Sequence, residues 1–316
     1  MCLSGDPFVP KMGAVMAEES CGFVLEKRPQ TPDPRKAMMN NTTEFWKMSG
    51  SGNDFILVDN RDGRIEDEAM GPLVKKICRR RESVGADGVI FLMESERFDF
   101  GWRYLNADGG EVEMCGNGAR CVARFAHLKG IAESKMTFET LAGPVAAEVT
   151  GRVVKVTMPK PNGLKMDIDL PLETGWRTVD FVNTGVPHVV IQVDSLSNYP
   201  VFQQGKSIRH HPMFSPDGTN ANFIRIIGPD LLEIRTYERG VEEETLACGT
   251  GAVAAALVSA ARGMVESPVR AKTQGGEELR VSFQKEQNEF TQVWFEGKTV
   301  IVYQGQLHEE TMYNDN

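Results

Sequence analysis

No stretch of this 316-residue chain stays apolar for the ~18 residues that a membrane-spanning helix needs. Residues 1–40 also lack the continuous apolar segment of a secretory leader, so the expected location is the cytoplasm. Cysteine is scarce, at six, and too thinly spread for a disulfide framework in a chain of this length. Histidine is scarcer, at five, and no C-x-x-C pair is present; nothing is spaced as a zinc site, and no metal is expected. Basic residues are outnumbered, 35 Lys and Arg against 44 Asp and Glu, for a net charge of −9. A nucleic-acid surface needs a basic stripe, which this balance does not favour. What remains is an ordinary globular composition, 41% hydrophobic and 25% charged. The length suffices for two domains that need no covalent staples.

Two of the few cysteines carry the most information. Cys115-Gly116-Asn117-Gly118-Ala119 recurs as Cys248-Gly249-Thr250-Gly251-Ala252. Each copy follows a strand and a polar turn, and each opens an alanine-rich helical run. Free N–H groups and the positive helix end favour thiolate there, and pull a cysteine pKa from about 8.5 toward 7. The glycines let the backbone approach a bound anion. Arg103 stands upstream of Cys115 as Arg235 does of Cys248, and each arginine is followed by a turn, Asp108-Gly109 or Arg239-Gly240. Two thiols on opposite faces of one carbon can invert it without a cofactor. One thiolate removes a proton, and the opposite thiol donates another. N–H groups of Gly116, Asn117, Gly249 and Thr250 would stabilise the enolate-like charge between them. A Cys115–Cys248 disulfide remains open as another use of facing thiols. Cys78 and Cys121 read as small core residues.

Residues 1–41 carry five prolines and no periodicity, and read as a mobile extension. Beyond them, strands are expected at 55–59, 88–93, 101–106, 136–140 and 145–149, with helices over 72–81 and 115–128. A second half begins near Arg152, with strands expected at 153–158, 178–183, 189–193, 223–227, 233–237, 279–283, 292–295 and 300–303 and a turn-rich linker at 160–163. A helix over 249–262 is apolar or small almost all round, so it should be buried. Each half thus wraps strands round one helix that begins at a cysteine.

At these residues the sequence resembles the diaminopimelate epimerases. The resemblance runs through Gly52-Asn53-Asp54-Phe55, Val84-Gly85-Ala86-Asp87-Gly88, Asn106-Ala107-Asp108-Gly109 and Met114-Cys115-Gly116-Asn117-Gly118-Ala119-Arg120. It continues through Gly185-Val186-Pro187-His188, Thr219-Asn220-Ala221-Asn222-Phe223, Tyr237-Glu238-Arg239-Gly240 and Ala247-Cys248-Gly249-Thr250-Gly251. It implies an α/β (α+β) fold of two pseudo-symmetric domains, each a curled, mostly antiparallel sheet around a central helix. Their expected bounds are 42–160 and 161–297, with a final strand at 298–308 returning to the first. The implied activity is cofactor-independent interconversion of LL- and meso-2,6-diaminopimelate, in lysine and peptidoglycan precursor biosynthesis.

By the same resemblance, Cys115 and Cys248 are the two acid/bases and Asn53 holds the reacting end. Asn106, Asn220, Glu238 and Arg239 bind the distal amino-acid end, and His188 influences the cysteines. The implied partner is the small-molecule substrate, and a homodimer is one assembly open to the chain. Two positions depart from the pattern. Val186 stands where many members carry asparagine, and Gly88 where some carry glutamine. A racemase of the same superfamily acting on histidine or proline is the alternative enzyme. A thiol redox sensor or small-ligand binder is the alternative outside enzymes.

Overall fold

The computed structural model describes residues 43–172, 175–287, 289–308 and 311. The expected N-terminal extension lies outside them. Sixteen described strands join in one sheet, and their pairing has an internal rhythm. The first half runs β1 (Thr43–Gly50), β2 (Asn53–Asp59), α1 (Asp67–Ile77), β3 (Gly88–Met93), β4 (Phe100–Asn106), α2 (Gly116–Leu128), β5 (Lys135–Thr140), β6 (Gly143–Thr150) and β7 (Val153–Thr157). The second runs β8 (Asn162–Leu172), β9 (Gly175–Asn183), β10 (Pro187–Gln192), α3 (Val201–Arg209), β11 (Asn220–Gly228), β12 (Leu231–Glu238), β13 (Glu243–Thr245), α4 (Gly249–Ala261), β14 (Val269–Lys272), β15 (Glu278–Glu286) and β16 (Glu289–Leu307).

Strand β1 pairs antiparallel with β2, β2 parallel with β3 across α1, β3 antiparallel with β4, and β4 parallel with β5 across α2. The second half repeats this order with β9, β10, β11, β12 and β14, and with α3 and α4 as crossovers. The repeat at the two cysteines is therefore a repeat of topology.

Helices α2 and α4 are the central pair. As expected from its composition, α4 is buried along nearly its whole length. Helices α1 and α3 cover the outer faces. Strands β2 and β3 lie between α1 and α2, with Ile56, Val58, Val89 and Phe91 against α1 and Phe55, Leu57, Ile90 and Leu92 in the central cluster. Burial on both faces explains their nearly unbroken apolar runs and fits their parallel pairing.

Helix α1 begins at Asp67 rather than near Pro72. Met70, Leu73, Val74 and Ile77 form its buried face, and Asp67 and Glu68 fall in the first turn, where negative charge is favoured. It ends before Arg79, because Cys78 is already its C-cap. The expected linker at 160–163 instead leads directly into β8, in which Leu164, Met166, Ile168, Leu170 and Leu172 fall at every second position, the period of a strand with one packed face. The expected strands at 292–295 and 300–303 are parts of one strand, β16. Its residues pair with β15, with β7 and then with β1. The last two pairings close the first half round α2.

Candidate active site

Each central helix opens at a cysteine. Cys115 is the N-cap of α2 in extended conformation, and its Sγ accepts a hydrogen bond from Gly118 N at 3.5 Å. Cys248 is the N-cap of α4, and its Sγ lies 3.6 Å from Thr250 Oγ1. The two helix starts meet across the ring of Phe295 from β16. A Cβ added at Gly116 would stand 3.2 Å from that ring, and one at Gly249 would stand 2.9 Å from it. These glycines thus allow an aromatic spacer to fit, beyond any approach to an anion.

Both cysteines line one cleft of about 900 Å³. It also holds Asn53, Asn106, Gly116, Asn117, Asn220, Glu238, Arg239, Gly249 and Thr250. Of the site residues expected from sequence, His188 alone does not line it. That ring is fully buried behind the cleft, and Asn222 Nδ2 donates to its Nδ1 at 3.1 Å. Burial, reinforced by the positive charge of Arg239, drives its pKa down to about 3, so the imidazole is neutral.

The thiols do not show the expected fall in pKa. Burial raises Cys115, against the pull of N–H groups from Gly118 and Asn117. Burial raises Cys248 further, and the nearby Glu238 carboxylate adds repulsion that Thr250 and Gly251 only partly offset. Glu238 is itself raised by burial, against hydrogen bonding from Thr245 and Cys248. Desolvation outweighs the helix end here because the sulfurs are enclosed.

Several groups position the site residues, and the motifs that contain Asp54 and Asp87 gave neither of them a role. Asp87 accepts from Asn53 Nδ2 at 2.6 Å and from Asp54 N at 3.1 Å. That bond turns Asn53 Oδ1 toward the Cys115 thiol, 3.7 Å away. Arg80 bridges Asp54 and Asp87. Burial pulls the Asp54 carboxyl up, but bonds from Arg80 and Lys47 prevail and hold it at about 2. Tyr104 donates its hydroxyl to Asn106 Oδ1 at 2.7 Å, leaving the Asn106 NH₂ to face a ligand. Asn220 donates to Pro187 O at 2.9 Å and accepts from Arg239 N at 2.9 Å, so it also braces two loops of the site. The motif arginines are scaffold: Arg103 forks onto Glu111, and Arg235 onto Glu244.

A family profile described as diaminopimelate epimerase matches residues 45–163 and 181–302. The chain belongs to this family. A diaminopimelate epimerase from Aquifex aeolicus is 43% identical over 284 residues, covering 85% of this chain and 99% of the relative. One from Chlorobaculum tepidum is 46% identical over 264 residues, covering 82% and 99%. Among solved structures, a probable proline racemase from Agrobacterium radiobacter K84 has a TM-score of 0.65 at 17% identity, covering 84% of this chain and 93% of its own. A PhzF-family protein from Bacillus anthracis has a TM-score of 0.64 at 17% identity, covering 85% and 99%. The fold is thus the one shared by the family and these more distant structures.

The two departures now have surroundings. Val186 lines the cleft without a side-chain polar group. At Gly88, a Cβ would stand 2.5 Å from Leu105 O and 2.6 Å from Tyr104 Cε2. Glycine therefore makes room for the tyrosine that orients Asn106.

Proposed function

We propose that this chain interconverts LL- and meso-2,6-diaminopimelate by carrying the α-proton between Cys115 and Cys248. The observation that supports it most is the placing of two N-cap thiols, from repeat-related central helices, in a single cleft. One thiolate takes the proton from the α-carbon while negative charge spreads into the substrate carboxylate. The opposite thiol then donates its proton to the other face, and the C–H bond reforms with inverted configuration. N–H groups at the two helix starts, including those of Gly116, Asn117, Gly249 and Thr250, oppose the transient charge. The reaction uses no cofactor.

Asn53 holds the reacting end beside Cys115. Asn106, Asn220, Glu238 and Arg239 receive the distal end. A guanidinium and the Asn106 NH₂ suit its carboxylate, and the Glu238 carboxylate suits its ammonium group. His188 acts from behind, as a neutral ring. In this reading, residues 42–160 with the returning strand at 298–308 form one lobe, and residues 161–297 the other. A homodimer is compatible with this chemistry. Both sulfurs must stay reduced, which fits a reducing cytoplasm. No helix of the described residues is long and apolar enough to cross a membrane.

Proton NMR of meso-diaminopimelate with reduced enzyme in deuterium oxide tests the proposal. Loss of the α-proton signal with appearance of the LL isomer is expected. Absence of exchange, with both thiols titrating as free, would reject this substrate and direct attention to Val186.

A further inference from the structure

Arg120 lies in the second turn of α2, fully buried, with no carboxylate within ion-pair distance among the described residues. A buried charge without a counter-ion is costly, and a cation close to a helix N-terminus is disfavoured by the dipole. The fold nevertheless builds a place for it. Its guanidinium donates to Lys298 O at 2.9 Å, to Ser51 Oγ at 2.7 Å and to Asn117 Oδ1 at 2.6 Å. It also lies over the Phe295 ring, 4.7 Å from the centroid. Gly297 clears the space: a Cβ there would overlap the guanidinium. Gly50 is packed against the same group from β1.

These contacts join three parts of the site. Ser51 sits in the turn that leads to Asn53, in a left-handed conformation with φ of 58° that a serine rarely adopts unaided. Asn117 belongs to the helix start that carries Cys115. Lys298 and Phe295 belong to the strand that reaches both halves. The repeat does not duplicate the arrangement, because the position in α4 that matches Arg120 is Val253. The cation therefore belongs to the α2 start and has no counterpart in α4.

We propose that Arg120 is a positioning residue for Cys115: it holds the Asn53 turn and the start of α2 in register, and makes Cys115 the thiol that loses its proton first. This rests on the reading of Cys115 and Cys248 as the acid/base pair. The other titratable groups acting on Cys115 are Glu238 from β12 and its neighbours Tyr104 on β4 and Cys121 on α2. Burial keeps Tyr104 and Cys121 neutral, and raises Cys121 to about 12. Glu277, between β14 and β15, acts on Arg120 from the far side. On Cys115 the Glu238 charge outweighs that of Arg120, and Glu238 bears on Cys248 as the largest influence after burial.

The test is iodoacetamide labelling of Cys115 in a Cys248→Ala background, read by peptide mass spectrometry from neutral to alkaline pH. Arg120→Met is expected to move the labelling midpoint up by about one pH unit, equivalent to about tenfold less thiolate near neutrality. In the enzyme with both cysteines, the acid limb of kcat/KM should move by the same amount. A midpoint unchanged by Arg120→Met would overturn the proposal, whatever happens to turnover. Should circular dichroism show Arg120→Met unfolded, Arg120→Lys decides the matter, because it keeps the cation but loses the fork onto Ser51 and Asn117. A midpoint near that of the parent with turnover down about tenfold, as for lost positioning, supports the proposal; undiminished turnover overturns it. Near-normal turnover by Cys248→Ala alone would instead refute the underlying acid/base reading.

Discussion

The chemistry of this chain rests on a few side chains whose neighbours matter as much as their identity. In the proposed mechanism, replacing Cys115 or Cys248 with alanine removes the proton carrier from one face. Turnover of diaminopimelate should fall by at least about a hundredfold, the lower end for lost acid–base catalysis; near-normal turnover in either variant would defeat the two-thiol mechanism. Both thiols are raised by burial, Cys248 more than Cys115. Below its pKa each is neutral, so raising the pH first creates the one-thiolate state, and further alkali removes the second proton. The pH profile of kcat/KM should therefore climb from neutral into the alkaline range and then fall. A rate already flat at neutral pH would show that the thiols ionise earlier than their burial implies. Asp87 makes the subtler prediction. Without it, the Asn53 amide loses the bond that turns its oxygen toward Cys115. Asp87→Ala should lower kcat about 10- to 100-fold, as misplacement by about an ångström can, with little change in Tm. Unchanged kinetics would show that the amide is held by something else.

Among the elements, outer helix α3 shows how close packing can override local preference. Gly205 faces Tyr237 of β12 so closely that an added Cβ would overlap that side chain. Helix propensity alone would favour Gly205→Ala by about 1 kcal/mol. Overpacking against a buried aromatic residue costs about 1–3 kcal/mol, and the contact is with the tyrosine Cβ, which cannot swing aside. Gly205→Ala should lower Tm in a thermal melt followed by circular dichroism; a rise would mean that α3 moves outward freely. A similar close approach operates at the helix starts, where Gly116 and Gly249 flank Phe295. The two N-cap cysteines are therefore placed by packing as well as by their own cap geometry.

For the molecule as a whole, β16 is the decisive strand. It pairs with β15 in one half and with β7 and β1 in the other. It also supplies Phe295 between the cysteine helices and the Lys298 carbonyl to Arg120. A chain ending after Lys298 would keep the pairing with β15 but leave β1 with an open edge. That truncation should abolish the cooperative thermal transition of the first half and epimerase activity with it. A truncated protein that melts as the full chain does would show that closure round α2 contributes little.

Local chemistry made much of this legible in advance. The paired cysteine motifs, the buried α4 and most strands of the first half follow from glycine placement, apolar runs and helix-start signals that act over a few residues. Of the site residues expected from the motifs, all but His188 line the cleft, and His188 sits behind it. Other features depended on contacts between distant segments. The charge at Arg120 reads as a solvent-facing residue until β1, α2 and β16 enclose it. The residues joining the two predicted parts of β16 look like a turn until neighbouring strands on both sides hold them extended. The direction of the thiol pKa shifts was likewise set by enclosure, because the desolvation of a sulfur depends on everything that surrounds it, whereas the helix end beside it is written locally.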